Sequence, residues 1–152
     1  MHKTSRNPDC TEVPSRLLFL DFDGVLHPAS ASSVNFFSQI KLLADVMVGR
    51  QCEIVISSSW RHHYELIEIV AMFPTLLQTR IMGTTGQPHV GKWPRYNEIL
   101  SYLRDIPVDF QWRALDDSWI EFPPDCPELI RCNPNFGMQR DQALMLQDWL
   151  ES

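Results

Sequence analysis

The chain has 152 residues, which is enough for one domain with a substantial hydrophobic core. Hydrophobic residues make up 44% of the sequence and charged residues 21%, which is ordinary for a globular protein and excludes a disordered composition. The formal net charge of −6 argues against a broad nucleic-acid-binding surface, and no apolar run approaches the ~20 residues of a membrane helix.

The beginning of the chain is polar and contains two prolines. We predict a flexible arm over residues 1–15, followed by a single domain over residues 16–152. The arm lacks the apolar core of a secretory signal, and the four cysteines form no Cys-x-x-Cys pair, so we expect a cytoplasmic protein with reduced thiols. The sequence leaves open a disulfide between Cys126 and Cys132.

Apolar residues alternate between the spacing of strands and the spacing of helices along the chain. We predict strands over 16–22, 53–56, 80–84, 110–115 and 129–132, of which the third and the last are short. We predict helices from 36 to 47, from 96 to 103 and from 143 to 150. Between the second and third strands we predict a further helix, ended by Pro74, with Leu66, Ile67, Val70 and Ala71 on its buried face. Repeated strand–helix units are typical of an α/β domain with a parallel sheet.

Three of the predicted strands end in residues with carboxylate or hydroxyl side chains. These residues are Asp21 and Asp23, Ser57 and Ser58, and Asp116 and Asp117. Ligands of parallel sheets bind at the carboxyl ends of the strands, near a reversal of strand order. We therefore expect these side chains to face one crevice.

Asp21 and Asp23 stand two residues apart at the end of the first predicted strand, directly before Gly24. Side chains alternate across a sheet, so both carboxylates can converge where the chain bends at the glycine. Two carboxylates at such a short distance repel each other, so they need a cation or a shared proton. Asp21 is a candidate nucleophile towards phosphorus, and Asp23 a candidate acid and base. Gly24 would let the backbone approach the phosphoryl group.

Hydroxyl and basic residues near the other strand ends are candidates for binding phosphate. Ser57 and Ser58 offer hydroxyl and N–H donors next to a helix start, where either serine can also serve as a cap. Lys92 or Arg95 could neutralise Asp21 and the phosphoryl group. The sequence leaves open which serine and which basic residue face the site.

Carboxylates at two strand ends also predict a site for a hard cation. Mg²⁺ prefers oxygen ligands and keeps several waters. Asp21, the backbone carbonyl of Asp23, and Asp117 would suit it. Asp116 would complete the ligand shell, hydrogen-bond behind it or hold the basic residue.

These residues resemble the motifs of the haloacid dehalogenase-like (HAD) phosphohydrolase superfamily, in the family's order. Asp21-Phe22-Asp23-Gly24-Val25 is similar to the first motif, the hydroxyl after Ile54-Val55-Ile56 to the second, Lys92 or Arg95 to the third, and Leu115-Asp116-Asp117 to the fourth. The resemblance implies a three-layer Rossmann-like parallel sheet with helices on both faces. It also implies Mg²⁺ dependence, an aspartyl-phosphate intermediate, Asp23 as acid and base, and Asp117 as a metal ligand.

A narrower resemblance connects the chain to HAD domains found with RNA-repair enzymes. It rests on Ser57-Ser58-Ser59-Trp60-Arg61, Arg95-x-x-Glu98-Ile99 and Ala114-Leu115-Asp116-Asp117. It implies a nucleotide or a nucleic-acid end as the substrate.

The chain between the motifs has no room for the large cap domain that many relatives carry. An uncapped site is open and admits a phosphate on a large substrate, such as a polynucleotide or a protein, unless a partner chain covers it. Three tryptophans beside the motifs, Trp60, Trp93 and Trp119, can stack on bases or pack in the ordinary way.

We therefore predict an Mg²⁺-dependent phosphatase that hydrolyses a phosphomonoester. A phospho-receiver domain in signalling uses similar residues, but its acidic pair precedes its phosphoacceptor, whereas here the Asp-x-Asp unit comes first. A HAD-fold module that binds without catalysis is a second alternative.

Overall fold

A five-stranded parallel sheet lies at the centre of the structure, a computed structural model that describes residues 15–152. The strands are β1 (Arg16–Leu20), β2 (Glu53–Ile56), β3 (Ile81–Thr84), β4 (Gln111–Asp116) and β5 (Leu129–Arg131). Their order is β3-β2-β1-β4-β5, and each neighbouring pair is parallel. The chain moves outward from β1 to β3 and then crosses to β4, so the strand order reverses between β1 and β4.

Among the described residues, five α-helices cover the two faces of the sheet. They are α1 (Ile40–Met47), α2 (Leu66–Ala71), α3 (Thr75–Gln78), α4 (Pro94–Asp105) and α5 (Arg140–Glu151). Leu18 and Leu20 of β1 join the core formed with α1, α2, α3 and α5, whereas Leu17 and Phe19 join the core formed with α4. Side chains of the central strand are thus buried on both faces, which confirms the three-layer α/β fold.

The described residues contain no separate cap domain over the carboxyl ends of the strands. Within the same part of the chain, Cys52, Cys126 and Cys132 are free thiols, so Cys126 and Cys132 are not joined. None of the helices between residues 15 and 152 has the length and apolar character needed to cross a membrane. Nearly all of the predicted arm, residues 1–14, lies outside the described residues.

Among the element boundaries that differ from the sequence prediction, two have clear local reasons. Helix α1 begins at Ile40 rather than Phe36, because Phe37 has a φ of 60°, which a right-handed helix cannot contain. Strand β1 ends at Leu20 rather than Phe22, because the N–H groups of Val25 and Leu26 donate to the Phe22 carbonyl and close a turn.

The predicted buried face of α2 was wrong. Leu66 and Ile67 are exposed, and Ile69 is buried. Ile69 and Phe73, four residues apart, enter the core instead, because neighbours at that spacing share one side of a helical turn. Pro74 does not simply end the helical region, since it caps the short helix α3.

Helix α5 offers a test of the larger core. Leu146 is completely buried there, whereas Leu144 on the same helix is 44% exposed. We expect Leu146→Ala to lower the free energy of unfolding by about 2–5 kcal/mol, because it removes buried methyl groups and leaves a cavity. Leu144→Ala should change it by less than about 1 kcal/mol. Urea unfolding of both variants measures this, and equal losses would contradict the assigned packing.

Candidate active site

The chain leaves the sheet at Asp21, at the point where strand order reverses. The Asp21 N–H still donates to the Leu115 carbonyl at 3.1 Å, which extends the β1–β4 ladder by one residue. The turn at Phe22 then carries the chain away, and Gly24 follows with a φ of +76°. This geometry places the first acidic residues directly beside the end of β4.

Three carboxylates meet there. Asp21, Asp116 and Asp117 each offer one oxygen atom, and these three atoms lie within 4.8 Å of one another. Asp21 and Asp116 are buried, and Asp117 is partly exposed. The cluster therefore joins the ends of β1 and β4, as the strand-end pattern predicted.

Burial shapes the protonation of this cluster. It raises the pKa of Asp21 well above its ordinary value, and the charge of Asp116 adds to the rise, while Arg95 opposes it. Burial likewise raises the pKa of Asp116 to about 7, against the opposing effects of Arg95 and the Ser118 N–H. Full ionisation of the cluster at neutral pH thus requires additional positive charge.

The residues fit a hard cation such as Mg²⁺. Three carboxylates form an all-oxygen donor set. A Cβ atom on Gly24 would lie 2.2 Å from Oδ2 of Asp117, so only glycine lets that carboxylate approach the turn after β1. Both oxygens of Asp116 already accept hydrogen bonds, from the Ser118 N–H at 2.9 Å and from Arg95 at 3.2 Å. Asp21 and Asp117 are therefore the better ligands, with Asp116 behind them.

Asp23 does not join the cluster with its side chain. Its carboxylate is 47% exposed and bonds to His27 and Trp60. Its carbonyl accepts no hydrogen bond from the described residues, so this oxygen can still serve as the ligand expected from the sequence.

Arg95, not Lys92, is the basic residue beside the carboxylates. Its Nη1 lies 3.4 Å from Oδ1 of Asp21 and 3.2 Å from Oδ2 of Asp116. Burial works against its charge, but the charges of Asp116, Asp21, Glu121 and Glu98 together outweigh burial, so the pKa of Arg95 is raised. Lys92 is exposed, and its Nζ lies 5.9 Å from the ring centre of Trp93.

The two serines after β2 differ in what their hydroxyls do. Both are buried. Oγ of Ser58 accepts from the Trp60 N–H at 3.2 Å and caps a 3₁₀ turn over Ser59–His62. Oγ of Ser57 has no hydrogen-bond partner among the described residues, and neither has Nε of Arg95. Arg95 also donates to the Ser57 carbonyl, so these two unused polar groups belong to one site.

Residues 17–143 match the family model described as the HAD domain in Swiss Army Knife RNA repair proteins. The chain belongs to this family. No curated protein and no solved structure shows significant similarity to the chain. Membership confirms both resemblances seen in the sequence, to the HAD superfamily and to its RNA-repair branch.

The site of this HAD domain contains a buried ion pair that sequence reasoning missed. Arg61 donates to Glu98, and both side chains are about 95% buried. Arg61 also donates to the Ser58 carbonyl at 2.8 Å and the Gly86 carbonyl at 3.1 Å. It thus ties the loop after β2 to α4 and to the loop after β3. Both residues stand in the segments quoted for the narrower resemblance, but nothing in the sequence paired them.

Sequence reasoning also missed His27. It is completely buried, and its Nε2 lies 2.7 Å from Oδ1 of Asp23. The only available signal was its position four residues after Asp23, which indicates a contact in a helix but not in an irregular turn.

Two glycines with similar backbone conformations allow a controlled test of the cation site. Gly24 and Gly49 have φ values of +76° and +70°, but a Cβ on Gly49 meets nothing within 4 Å. Alanine at either position costs about 1–2 kcal/mol of backbone strain. We expect millimolar Mg²⁺ to raise the melting temperature of wild type and of Gly49→Ala but not that of Gly24→Ala, because only a side chain at position 24 displaces Asp117. Equal responses to Mg²⁺ in both variants would contradict this assignment.

Asp116 should make the metal-free protein less stable as the pH rises. Its pKa is about 7 in the folded state against an ordinary value of 3.8, so between these values the folded protein keeps a proton that the unfolded chain releases. The free energy of unfolding should therefore fall by up to about 1.4 kcal/mol per pH unit across this window. Urea unfolding with a chelator should show a shallower fall in Asp116→Asn than in wild type. Parallel pH dependences would contradict it.

Proposed function

We propose that this HAD domain hydrolyses a phosphomonoester with Mg²⁺ through an aspartyl-phosphate on Asp21. One observation carries the proposal: Asp21 lies 3.4 Å from Nη1 of Arg95, in a site where Ser57 Oγ and Arg95 Nε are buried without partners in the described chain. Buried donors without partners are costly unless a ligand pairs with them. A phosphoryl group offers the acceptor oxygens that both need.

In the proposed reaction, a carboxylate oxygen of Asp21 attacks phosphorus and the bond from phosphorus to the leaving oxygen breaks. Asp23 gives its proton to that oxygen, and the alcohol departs. Asp23 then takes a proton from water as the water oxygen attacks phosphorus, which releases phosphate and restores Asp21. A bound Mg²⁺, held by Asp21, Asp117 and the Asp23 carbonyl, would offset the negative charge on the phosphoryl group.

The substrate in this proposal is a phosphate on a large molecule, specifically a nucleotide or the end of a polynucleotide. The family's name refers to RNA repair. The described residues place no cap over the site, and large apolar side chains around it are open to contact, with Trp119 65% exposed. Trp93 and Phe36, each more than a third exposed, are further surfaces on which bases can stack. A reducing, cytoplasmic setting completes the proposal, since the described cysteines are free.

A module that binds without catalysis predicts the same fold and the same binding groups. It differs in turnover alone. The deciding experiment is phosphate release, with and without Mg²⁺, from a panel of nucleotides, phosphorylated oligonucleotide ends, sugar phosphates and phosphopeptides.

Asp21→Asn should lower phosphate release by about a thousandfold or more, because the amide cannot form the aspartyl-phosphate. The matched control is Asp45→Asn on α1, an exposed aspartate whose only ion pair among the described residues is a surface contact with Lys41 at 3.0 Å. It should leave the rate unchanged.

An Asp21→Asn rate equal to that of wild type would overturn the covalent mechanism. Absence of turnover across the whole panel, with tight binding of one member, would favour the binding module.

A further inference from the structure

The Asp23 carboxylate is held by two side chains that the mechanism so far does not use. Oδ1 accepts from Nε2 of His27 at 2.7 Å, and Oδ2 accepts from Nε1 of Trp60 at 3.0 Å. His27 is completely buried, whereas Asp23 is 47% exposed. An exposed carboxylate is satisfied by water, so two fixed donors are more than its solvation requires.

Backbone contacts determine which nitrogen of His27 carries the proton. The Phe37 N–H donates to Nδ1 at 3.2 Å, so Nδ1 must offer a lone pair. The neutral ring therefore has its proton on Nε2 and donates it to Asp23. Phe37 has a φ of 60°, a conformation rare for a bulky residue, at the point where this bond forms. Strain of this kind concentrates at functional sites.

Aromatic side chains hold both donors in place. The ring centre of Phe36 lies 4.8 Å from the ring centre of His27 and 5.1 Å from that of Trp60. Phe22, between the two aspartates in the sequence, packs 5.4 Å from Trp60. Neither donor can turn away from Asp23 without disturbing this cluster.

We propose that His27 and Trp60 are positioning residues that orient Asp23 for proton transfer to the leaving oxygen. This inference rests on the proposed phosphatase activity. An ionised carboxylate has about four acceptor sites, and the two donors occupy one on each oxygen. A second site on each oxygen stays open, so Asp23 can bind the proton that it gives to the leaving oxygen, and later take one from water, while both hydrogen bonds persist.

The test compares two esters by kcat/KM, which reports only steps up to departure of the leaving group. p-Nitrophenyl phosphate has a leaving group that needs little protonation, whereas a nucleoside 5′-monophosphate has an alkoxide that does. Trp60→Phe keeps an aromatic ring and removes the donor. We expect it to lower kcat/KM for the nucleotide by about ten- to a hundredfold and for the nitrophenyl ester by less than about threefold.

Three further variants separate positioning from a general effect on structure. His27→Asn should show the same selective loss, and His27→Gln should restore much of it, because its amide N–H can reach the position of Nε2. Trp112→Phe makes the same substitution in the other core, where Trp112 packs against Phe19, and should leave the ratio of the two kcat/KM values unchanged.

The outcomes distinguish this inference from the proposed function. Suppose that wild type turns over both esters and that Trp60→Phe and His27→Asn leave the ratio of the two kcat/KM values unchanged. This result would overturn the positioning role of His27 and Trp60 and leave the proposed phosphatase activity intact. Equal losses for both esters would assign the two residues to structure alone. Wild type that turns over neither ester, nor any other member of the substrate panel, would overturn both proposals.

Discussion

Repulsion among three carboxylates at the junction of β1 and β4 is the constraint on which the site depends. Two of them are buried, where an unpaired charge is costly, and their pKa values rise accordingly. Arg95 supplies one positive charge to Asp21 and Asp116 together. The Asp117 carboxylate lies close to the turn after β1, because Gly24 has no side chain to block it. Arg95 alone does not balance the charge of three ionised carboxylates, and the same oxygen atoms form a donor set that fits a hard cation.

The sheet keeps this arrangement rigid. β1 is the central strand and is buried on both faces, and its register with β4 continues one residue into Asp21. On the other side, the Ser57 N–H donates to the Leu20 carbonyl at 2.8 Å and extends the β1–β2 pairing in the same way. The pair Arg61–Glu98 then fastens the loop after β2 to α4, the helix that carries Arg95. Removing either partner would leave a buried charge alone, so the pair also enforces the position of that loop.

Most of the fold and the acidic part of the site could be predicted, because short apolar runs followed by polar residues mark the ends of buried parallel strands. The choice between Lys92 and Arg95 could not be predicted. The choice depends on where α4 begins. Because Pro94 is its first residue, Arg95 lies in the first turn of the helix, beside the carboxylates, and Lys92 lies before the helix. His27 was missed because an irregular turn, not a periodic element, brings it back to Asp23. Phe37 similarly shortened α1 through a backbone conformation that no propensity favours for a bulky residue.

Burial divides the two aspartates of the first motif into different environments. Asp21 lies among other carboxylates with Arg95, where its charge depends on positive partners. Asp23 reaches outward, nearly half exposed, where water has access to it. In the proposed reaction this division matches what each residue must do, since the nucleophile has to stay away from water and the proton carrier has to exchange with it. Exposure alone would leave Asp23 free to rotate, and no cap domain among the described residues holds it from above. In an uncapped domain the restraint has to come from the domain itself. The buried imidazole of His27 and the indole of Trp60 provide it through their hydrogen bonds to the Asp23 carboxylate.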